Sequence, residues 1–167
     1  HVIVGHSERR HVFGETNADV RERLDAALAV GLDVILCVGE TIDERRAERT
    51  ADVVIGQLAD GVGGLEGEAV ARRVTIAYEP VWAIGTGLTA TPDQAQEVHA
   101  LIRGDLSERF GRSIADAVII QYGGSVKPAN IAELMACPDV DGALVGGASL
   151  EFRSFEQLVR LGGGGGS

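Results

Sequence analysis

Five short apolar runs, rich in β-branched residues, recur along the chain, and each is followed by a glycine or acidic turn and then by a helical pattern. The runs cover Val2–Val4, Val34–Val38, Val74–Tyr78, 118–122 and 142–145. Strands that alternate with helices pair in parallel, because each helix returns the chain to the edge of the sheet from which it left. The recurrence therefore predicts an α/β protein built on a parallel sheet.

The predicted helices carry clear end signals. Thr91 is placed to cap a helix over residues 91–110, with Pro92 at the first helical position and Gln94 three residues after the cap, as in a capping box. Gly31 is expected to end a helix over 18–30, because glycine readily adopts the conformation in which many helices stop. These signals support the alternation of strands with helices.

Two architectures fit five parallel strands. The run 34–38 is apolar throughout, as expected for a strand with helices on one side and a barrel interior on the other. A flavodoxin-like open sheet would also contain five parallel strands, and periodicity does not separate the two. A complete (β/α)8 barrel needs about 250 residues, so this chain falls short by about three strand–helix units of roughly 30 residues each.

Composition limits the class of protein and its partners. The chain has 167 residues, 45 % hydrophobic and 24 % charged, which is typical of a soluble globular protein with one substantial core. A formal net charge of −10, with basic residues placed beside acids, disfavours nucleic acid and membranes as partners. No apolar run approaches the ~20 residues of a bilayer span. We expect one domain over 1–161, followed by a glycine-rich linker or tail over 162–167.

The two cysteines, Cys37 and Cys137, lack the spacing of metal ligands. Cys37 lies inside an apolar run and is interpreted as an ordinary buried thiol. Free thiols suit a reducing compartment, so a cytoplasmic location is expected.

Glu79 stands at the end of the third apolar run and is followed by a glycine-tipped loop. A carboxylate that takes a proton from carbon benefits from the exclusion of water, because a drier site strengthens the electrostatics of the transferred charge. The segment after Glu79 is therefore interpreted as a lid, with hinges at 80–82 and 88–90. Its residues are Pro80, Val81, Trp82, Ala83, Ile84, Gly85, Thr86 and Gly87.

Four stretches carry a family resemblance. They are 5–10 (GHSERR), 77–87 (AYEPVWAIGTG), 122–125 (YGGS) and 140–149 (VDGALVGGAS). Four matches in the same order are far more specific than any one short motif. The chain resembles the triosephosphate isomerases, enzymes of glycolysis and gluconeogenesis, and is identified as a member of that family.

The resemblance implies a partial TIM barrel. It assigns the five units to the fourth through eighth units of the family, so the first three units are expected to be absent and the chain to begin within the pattern. The asparagine and lysine of the family's first strand then have no match. Lys127, the single lysine of the sequence, is interpreted as a solvated residue before a helix.

The resemblance also implies an activity: the interconversion of dihydroxyacetone phosphate and D-glyceraldehyde 3-phosphate through an enediolate, without cofactor or metal. Glu79 is the expected base, and His6 is the expected neutral donor to the enediolate oxygen. Glu8 matches a second acidic residue of the family, and its alternative role is an ion pair with Arg9 or Arg10.

Phosphate binding would fall to backbone N–H groups at three strand ends, where glycine allows close approach. The candidates are Gly85, Ser125, Gly146 and Gly147. The resemblance further implies that Ser125 and Tyr122 form hydrogen bonds with the closed lid. The other histidines, His1, His11 and His99, are interpreted as surface or packing residues.

A second reading concerns the chain by itself. Loss of one preorganised donor typically costs about 10²–10³ in rate, so the chain alone is expected to be impaired as an isomerase. Five strands do not close a barrel built for eight, and unpaired strand edges invite another chain. The alternative function is therefore an inactive partial barrel that self-associates or complements an N-terminal fragment. The family's dimer uses a loop of the third unit and is not carried over to this chain.

Overall fold

The computed structural model describes residues 1–84 and 88–163. One parallel sheet forms its centre, as the sequence predicts. Its strands are β1 (Val2–Val4), β2 (Val34–Val38), β3 (Val74–Tyr78), β4 (Ile120–Tyr122) and β5 (Gly142–Ala143).

The order of the strands along the sheet is the same as their order along the chain. A flavodoxin-like sheet would instead place the first strand between the second and third, since its order is 2-1-3-4-5. Here Leu36 of β2 aligns with Val4 of β1 on one side and with Ile76 of β3 on the other. The sequential order is consistent with a segment of a (β/α)8 barrel.

The last two strands are shorter than predicted. The predicted strand over 118–122 begins only at Ile120, because the backbone N–H of Val118 still donates to Ala115 and closes the preceding helix. The predicted strand over 142–145 ends at Ala143. This strand lies at the edge of the sheet and pairs on one side only, so little backbone bonding extends it.

Helices connect the strands. In order, the described helices are α1 (Ser7–His11), α2 (Asn17–Ala29), α3 (Ile42–Arg46), α4 (Thr50–Val62), α5 (Gly67–Arg73), α6 (Pro92–Phe110), α7 (Arg112–Ala117), α8 (Ile131–Met135) and α9 (Phe152–Gly162). Short 3-10 turns cover Val81–Ala83 and Gly147–Ser149.

The predicted helix ends are largely confirmed. The capping box of Thr91 and Gln94 is present at the start of α6. The helix predicted over 18–30 runs one residue earlier, as α2, and Gly31 follows it with a φ of 84°. Gly162 belongs to α9, and residues 164–167 of the predicted tail lie outside the described residues.

The two faces of the sheet differ in burial. Leu36 and Ile76 point to the face on which α2, α4 and α6 pack, and both are fully buried. Successive residues of a strand point to opposite faces, so Ile3 and Thr75 lie on the other face. Ile3 is 44 % exposed, and Thr75 is half-buried. The hydrophobic core therefore lies between the sheet and its helices.

No helix within the described ranges has the length and apolar character needed to cross a membrane.

Two truncations on neighbouring strands test the difference in burial between the two faces of the sheet. Leu36→Ala is expected to lower the free energy of unfolding by about 2–5 kcal/mol, because it leaves a cavity in the packed face. Ile3→Ala is expected to cost less than about 1.5 kcal/mol, because much of this side chain already contacts solvent. Urea denaturation of both variants measures the difference. Equal losses would show that both faces are packed alike.

Candidate active site

The carboxyl ends of the five parallel strands meet at one edge of the sheet, and the loops that follow them enclose a cavity of about 360 Å³. Its lining comes from four of these loops and from Ile3 of β1. His6 lies after β1, Glu79 after β3, 123–127 after β4 and 144–148 after β5. The cavity thus collects residues that are far apart in the sequence.

His6 and Glu79 contact each other directly. Nε2 of His6 lies 3.1 Å from Oε1 of Glu79. The second carboxylate oxygen of Glu79 accepts a hydrogen bond of 2.8 Å from the backbone N–H of Ser7. Glu79 follows β3 immediately, and its own N–H donates to Val38 of β2. The carboxylate is therefore held on both of its oxygens at the end of a buried strand.

The hydrogen bonds of His6 fix its tautomer. His6 caps α1, and its Nδ1 accepts from the backbone N–H of Glu8 at 3.3 Å. A ring nitrogen that accepts carries no proton in a neutral imidazole, so the proton is on Nε2. The group that His6 presents to Glu79 and to the cavity is thus an N–H donor.

Burial governs the ionisation of Glu79. Its side chain is only 4 % exposed, and desolvation raises the pKa of this carboxyl, while His6 and the N–H of Ser7 act in the opposite direction. Cys37 also interacts with Glu79, and burial raises the pKa of the Cys37 thiol. A carboxylate with a raised pKa is a stronger base than an exposed one.

Gly123 makes room for this carboxylate. A Cβ atom at residue 123 would lie 2.8 Å from Cγ of Glu79 and 3.2 Å from the carbonyl oxygen of Tyr78. Any side chain there would push Glu79 from its position. Gly123 therefore fixes the position of the Glu79 carboxylate as well as the shape of the cavity wall.

Glu8 is not brought into the cavity that His6 and Glu79 share. It lines a neighbouring depression instead. Arg9 pairs with Glu15, and Arg10 bonds to Asn17 and to the carbonyl of Gly5. Within the described residues Glu8 therefore forms no ion pair with either arginine, so the alternative role suggested by the sequence is wrong.

Three of the four phosphate candidates, Ser125, Gly146 and Gly147, line the cavity. The hydroxyl of Ser125 donates to the carbonyl of Ala83 at 2.6 Å, at the start of the segment interpreted as a lid, whereas its contact with a closed lid stays a prediction. Lys127 also lines the cavity. Gly85, the fourth candidate, lies outside the described residues.

The start of the lid segment is well packed. Pro80 and Ala83 are buried, and Ile84 reaches the cavity. Thr86 and Gly87 lie outside the described residues, so the lid itself stays a prediction.

A second buried carboxylate escaped the sequence analysis. Glu40 is fully buried and accepts hydrogen bonds from the hydroxyl of Tyr78 at 3.1 Å, from Nε1 of Trp82 at 2.9 Å and from Arg45 at 3.1 Å. The guanidinium of Arg45 also stacks 5.1 Å from the ring centroid of Trp82. The position of Glu40 just after an apolar strand was the sequence signal that could have revealed this buried carboxylate. Glu40 anchors the first hinge of the predicted lid.

The remaining histidines stay outside the cavity. His1 and His11 are exposed, whereas His99 is fully buried. Across residues 1–84 and 88–163, no cluster of three or more His, Cys, Asp or Glu side chains could hold a metal ion.

The comparisons with known proteins agree on one family. The sequence profile described as "TIM: Triosephosphate isomerase" matches residues 1–162. A triosephosphate isomerase of Chlorobaculum tepidum is 56 % identical over 163 residues, which cover 98 % of this chain and 65 % of the relative. That of Herpetosiphon aurantiacus is 58 % identical over 161 residues, covering 96 % of this chain and 64 % of the relative. The chain thus spans slightly less than two thirds of the length of these relatives.

Replacement of Glu79 by glutamine tests the effect of burial. Because the folded-state pKa of Glu79 is raised above its ordinary value of 4.5, its contribution to stability is full below that value and is lost as the pH rises through the folded-state pKa. The wild-type free energy of unfolding should therefore fall relative to that of Glu79→Gln as the pH rises from about 4 towards neutrality. Urea denaturation across this range measures it.

Glu8→Gln is the matched control, because Glu8 is exposed. A difference between Glu79→Gln and wild type that is independent of pH, or that varies with pH no more than that of Glu8→Gln, would contradict the assignment of a raised pKa.

Proposed function

The chain belongs to the triosephosphate isomerase family, and on that premise we propose that its cavity binds a triose phosphate and serves the interconversion of dihydroxyacetone phosphate and D-glyceraldehyde 3-phosphate. One observation carries the proposal. The Nε2–H donor of His6 and the buried carboxylate of Glu79 meet at 3.1 Å on the wall of one cavity.

The two side chains supply complementary halves of a proton transfer. Glu79 takes a proton from the carbon next to the substrate carbonyl, and the electrons of that C–H bond form the C=C bond of the enediolate. His6 donates its Nε2 hydrogen bond to the oxygen on which negative charge develops. The hydroxyl proton on the neighbouring oxygen passes to the charged oxygen, relayed by Nε2 of His6. Glu79 returns its proton to the carbon that carried the carbonyl, and the new carbonyl forms on the carbon that was deprotonated, which completes the exchange of aldehyde and ketone. Glu8, which lines a neighbouring depression, takes no direct part in this scheme.

The phosphate group would lie against the glycine-rich loops after β4 and β5. Ser125, Gly146 and Gly147 line the cavity there, and backbone N–H groups bind phosphate well because they bring partial positive charge without bulk. Gly85 on the lid is proposed as the fourth contact. The (β/α)8 architecture commonly binds phosphate at its last two strand ends.

Closure of the segment 80–90 over the substrate is part of the proposal. Water kept out of the cavity would strengthen the hydrogen bond from His6 and protect the enediolate. The bonds from Trp82 to Glu40 and from Ser125 to Ala83 support fixed points at the start of such a lid. Gly85, Thr86 and Gly87 form its proposed tip.

We also propose that the five strand–helix units correspond to the fourth through eighth units of the family's barrel. The order of the four motifs along the chain supports this assignment. We also propose a cytoplasmic location, which the free thiols of Cys37 and Cys137 favour.

The alternative is a catalytically inactive partial barrel that associates with copies of itself or complements an N-terminal fragment. The exposure of Ile3 and the one-sided pairing of β5 favour it. Association would cover surface that a complete barrel buries.

A coupled isomerase assay tests the catalytic proposal. The chain alone should turn over at least about 10²–10³ more slowly than a complete relative. Addition of a polypeptide comprising the first three units of such a relative should restore activity. Full turnover by the chain alone would contradict the assignment of its units.

Variants of the complemented enzyme test the residue roles. His6→Gln and Glu79→Gln should each lower kcat by about 10²–10⁴, because each removes one half of the proton transfer. His11→Gln is the matched control, since His11 is exposed, and it should leave kcat unchanged. Retention of activity by Glu79→Gln would overturn the assignment of the base.

Light scattering at micromolar concentration tests self-association. We expect dimers or larger species of the chain alone, because the outer strands β1 and β5 leave backbone groups unpaired. Ile3→Lys should shift the population towards monomer, whereas Val30→Lys, a change at another exposed apolar residue, should not. A stable monomer of the unmodified chain would contradict the prediction.

A further inference from the structure

Three aromatic rings pack directly behind the cavity. Tyr78 precedes Glu79, Tyr122 precedes Gly123, and His99 belongs to α6 of the helix layer; all three are fully buried. The ring centroid of His99 is 5.9 Å from that of Tyr78 and 6.4 Å from that of Tyr122. The proposed mechanism makes no use of His99.

His99 presents a lone pair to this cluster. Its Nδ1 lies 3.0 Å from the carbonyl oxygen of Asp139, and a carbonyl only accepts, so Nδ1 carries the proton. Burial lowers the pKa of His99 to about 4, so the ring is neutral near pH 7. Nε2 is therefore an unprotonated acceptor, and it has no partner among the described residues.

Tyr122 presents the complementary donor. Burial raises the pKa of its hydroxyl to about 12, so the hydroxyl keeps its proton. Its oxygen faces the backbone N–H of Ala90, which acts against this rise in pKa. No group in the described part of the chain accepts the hydroxyl proton. A Cβ atom on Gly124 would lie 2.2 Å from this hydroxyl oxygen. The hydroxyl thus abuts both the cavity loop and the far end of the lid segment.

Two buried polar atoms without partners, one a donor and one an acceptor, are rarely left so in folded proteins. Water is the usual partner where two or more polar groups converge. We propose that one buried water joins them, accepting from the Tyr122 hydroxyl and donating to Nε2 of His99, and that His99 is thereby a positioning residue for Tyr122.

The proposed water bridge affects the loops that surround the candidate active site. With its hydroxyl directed towards His99, Tyr122 holds a fixed orientation against Gly124 and Ala90. The loop after β4 and the second hinge of the lid then share one support, which is anchored through His99 to the carbonyl of Asp139. This role rests on the proposed function only in so far as the lid closes over a substrate.

Nitrogen-15 NMR of the labelled chain tests the hydrogen bonding without substrate or turnover. We expect His99 to be neutral at pH 7, with the proton on Nδ1 and with an Nε2 resonance typical of a hydrogen-bond acceptor. Tyr122→Phe should shift the Nε2 resonance. Tyr78→Phe is the matched control, because it keeps a ring beside His99 and removes a hydroxyl that binds Glu40; it should leave Nε2 largely unshifted.

A proton on Nε2, or equal shifts in the two tyrosine variants, would overturn the proposal. Both outcomes are independent of whether the chain is an isomerase, so failure here is distinct from failure of the proposed function.

A double-mutant cycle provides the second test. His99→Phe and Tyr122→Phe should be coupled by about tenfold in the unfolding equilibrium constant, because either change alone already breaks the bridge. The bond from His99 to Asp139 is lost with or without Tyr122, so it cancels in the cycle. His99→Gln, which keeps a donor and an acceptor, should restore part of the stability.

In the complemented enzyme, His99→Phe should lower kcat more than it changes KM, and His99→Gln should recover part of kcat. Strictly additive losses in the cycle, or equal kcat for the phenylalanine and glutamine variants, would refute the positioning role.

Discussion

The need to satisfy a buried carboxylate at the end of β3 shapes everything around the cavity. Glu79 sits almost without solvent, and its two oxygens are met by the backbone of Ser7 and by Nε2 of His6. An ionised carboxyl tolerates such burial only when hydrogen bonds replace its water. The histidine can serve because its other nitrogen is occupied at the start of α1. The reactive pair is therefore a product of local hydrogen-bond requirements.

Two carboxylates, Glu40 and Glu79, follow neighbouring strands, but their surroundings give them different roles. Glu40 is enclosed by Arg45, Tyr78 and Trp82, so it has a full set of donors and an opposite charge. Glu79 has no cationic arginine at contact distance in the described structure and faces the cavity. Pairing with an arginine makes Glu40 a structural anchor, whereas Glu79, without such a partner and with a raised pKa, is able to accept a proton.

The sequence predicted what depends on local pattern. Alternating runs predicted the sheet, and the capping box at Thr91 marked α6. The pairing of His6 with Glu79 was expected from the family resemblance. Strand order did not follow from periodicity, since barrels and open sheets have the same pattern. Contacts such as Glu40 with Trp82 were missed, because they join side chains 42 residues apart that no local motif relates. The burial of His99 followed only from packing.

Lys127 makes the cavity a target for selective chemical labelling. It carries the single ε-amino group of the sequence, and it is an exposed residue that lines the cavity. Amine-directed reagents would thus have one side-chain target within this sequence. A fluorophore coupled there would sit at the mouth of the cavity and report on its occupancy, with no need to introduce a cysteine.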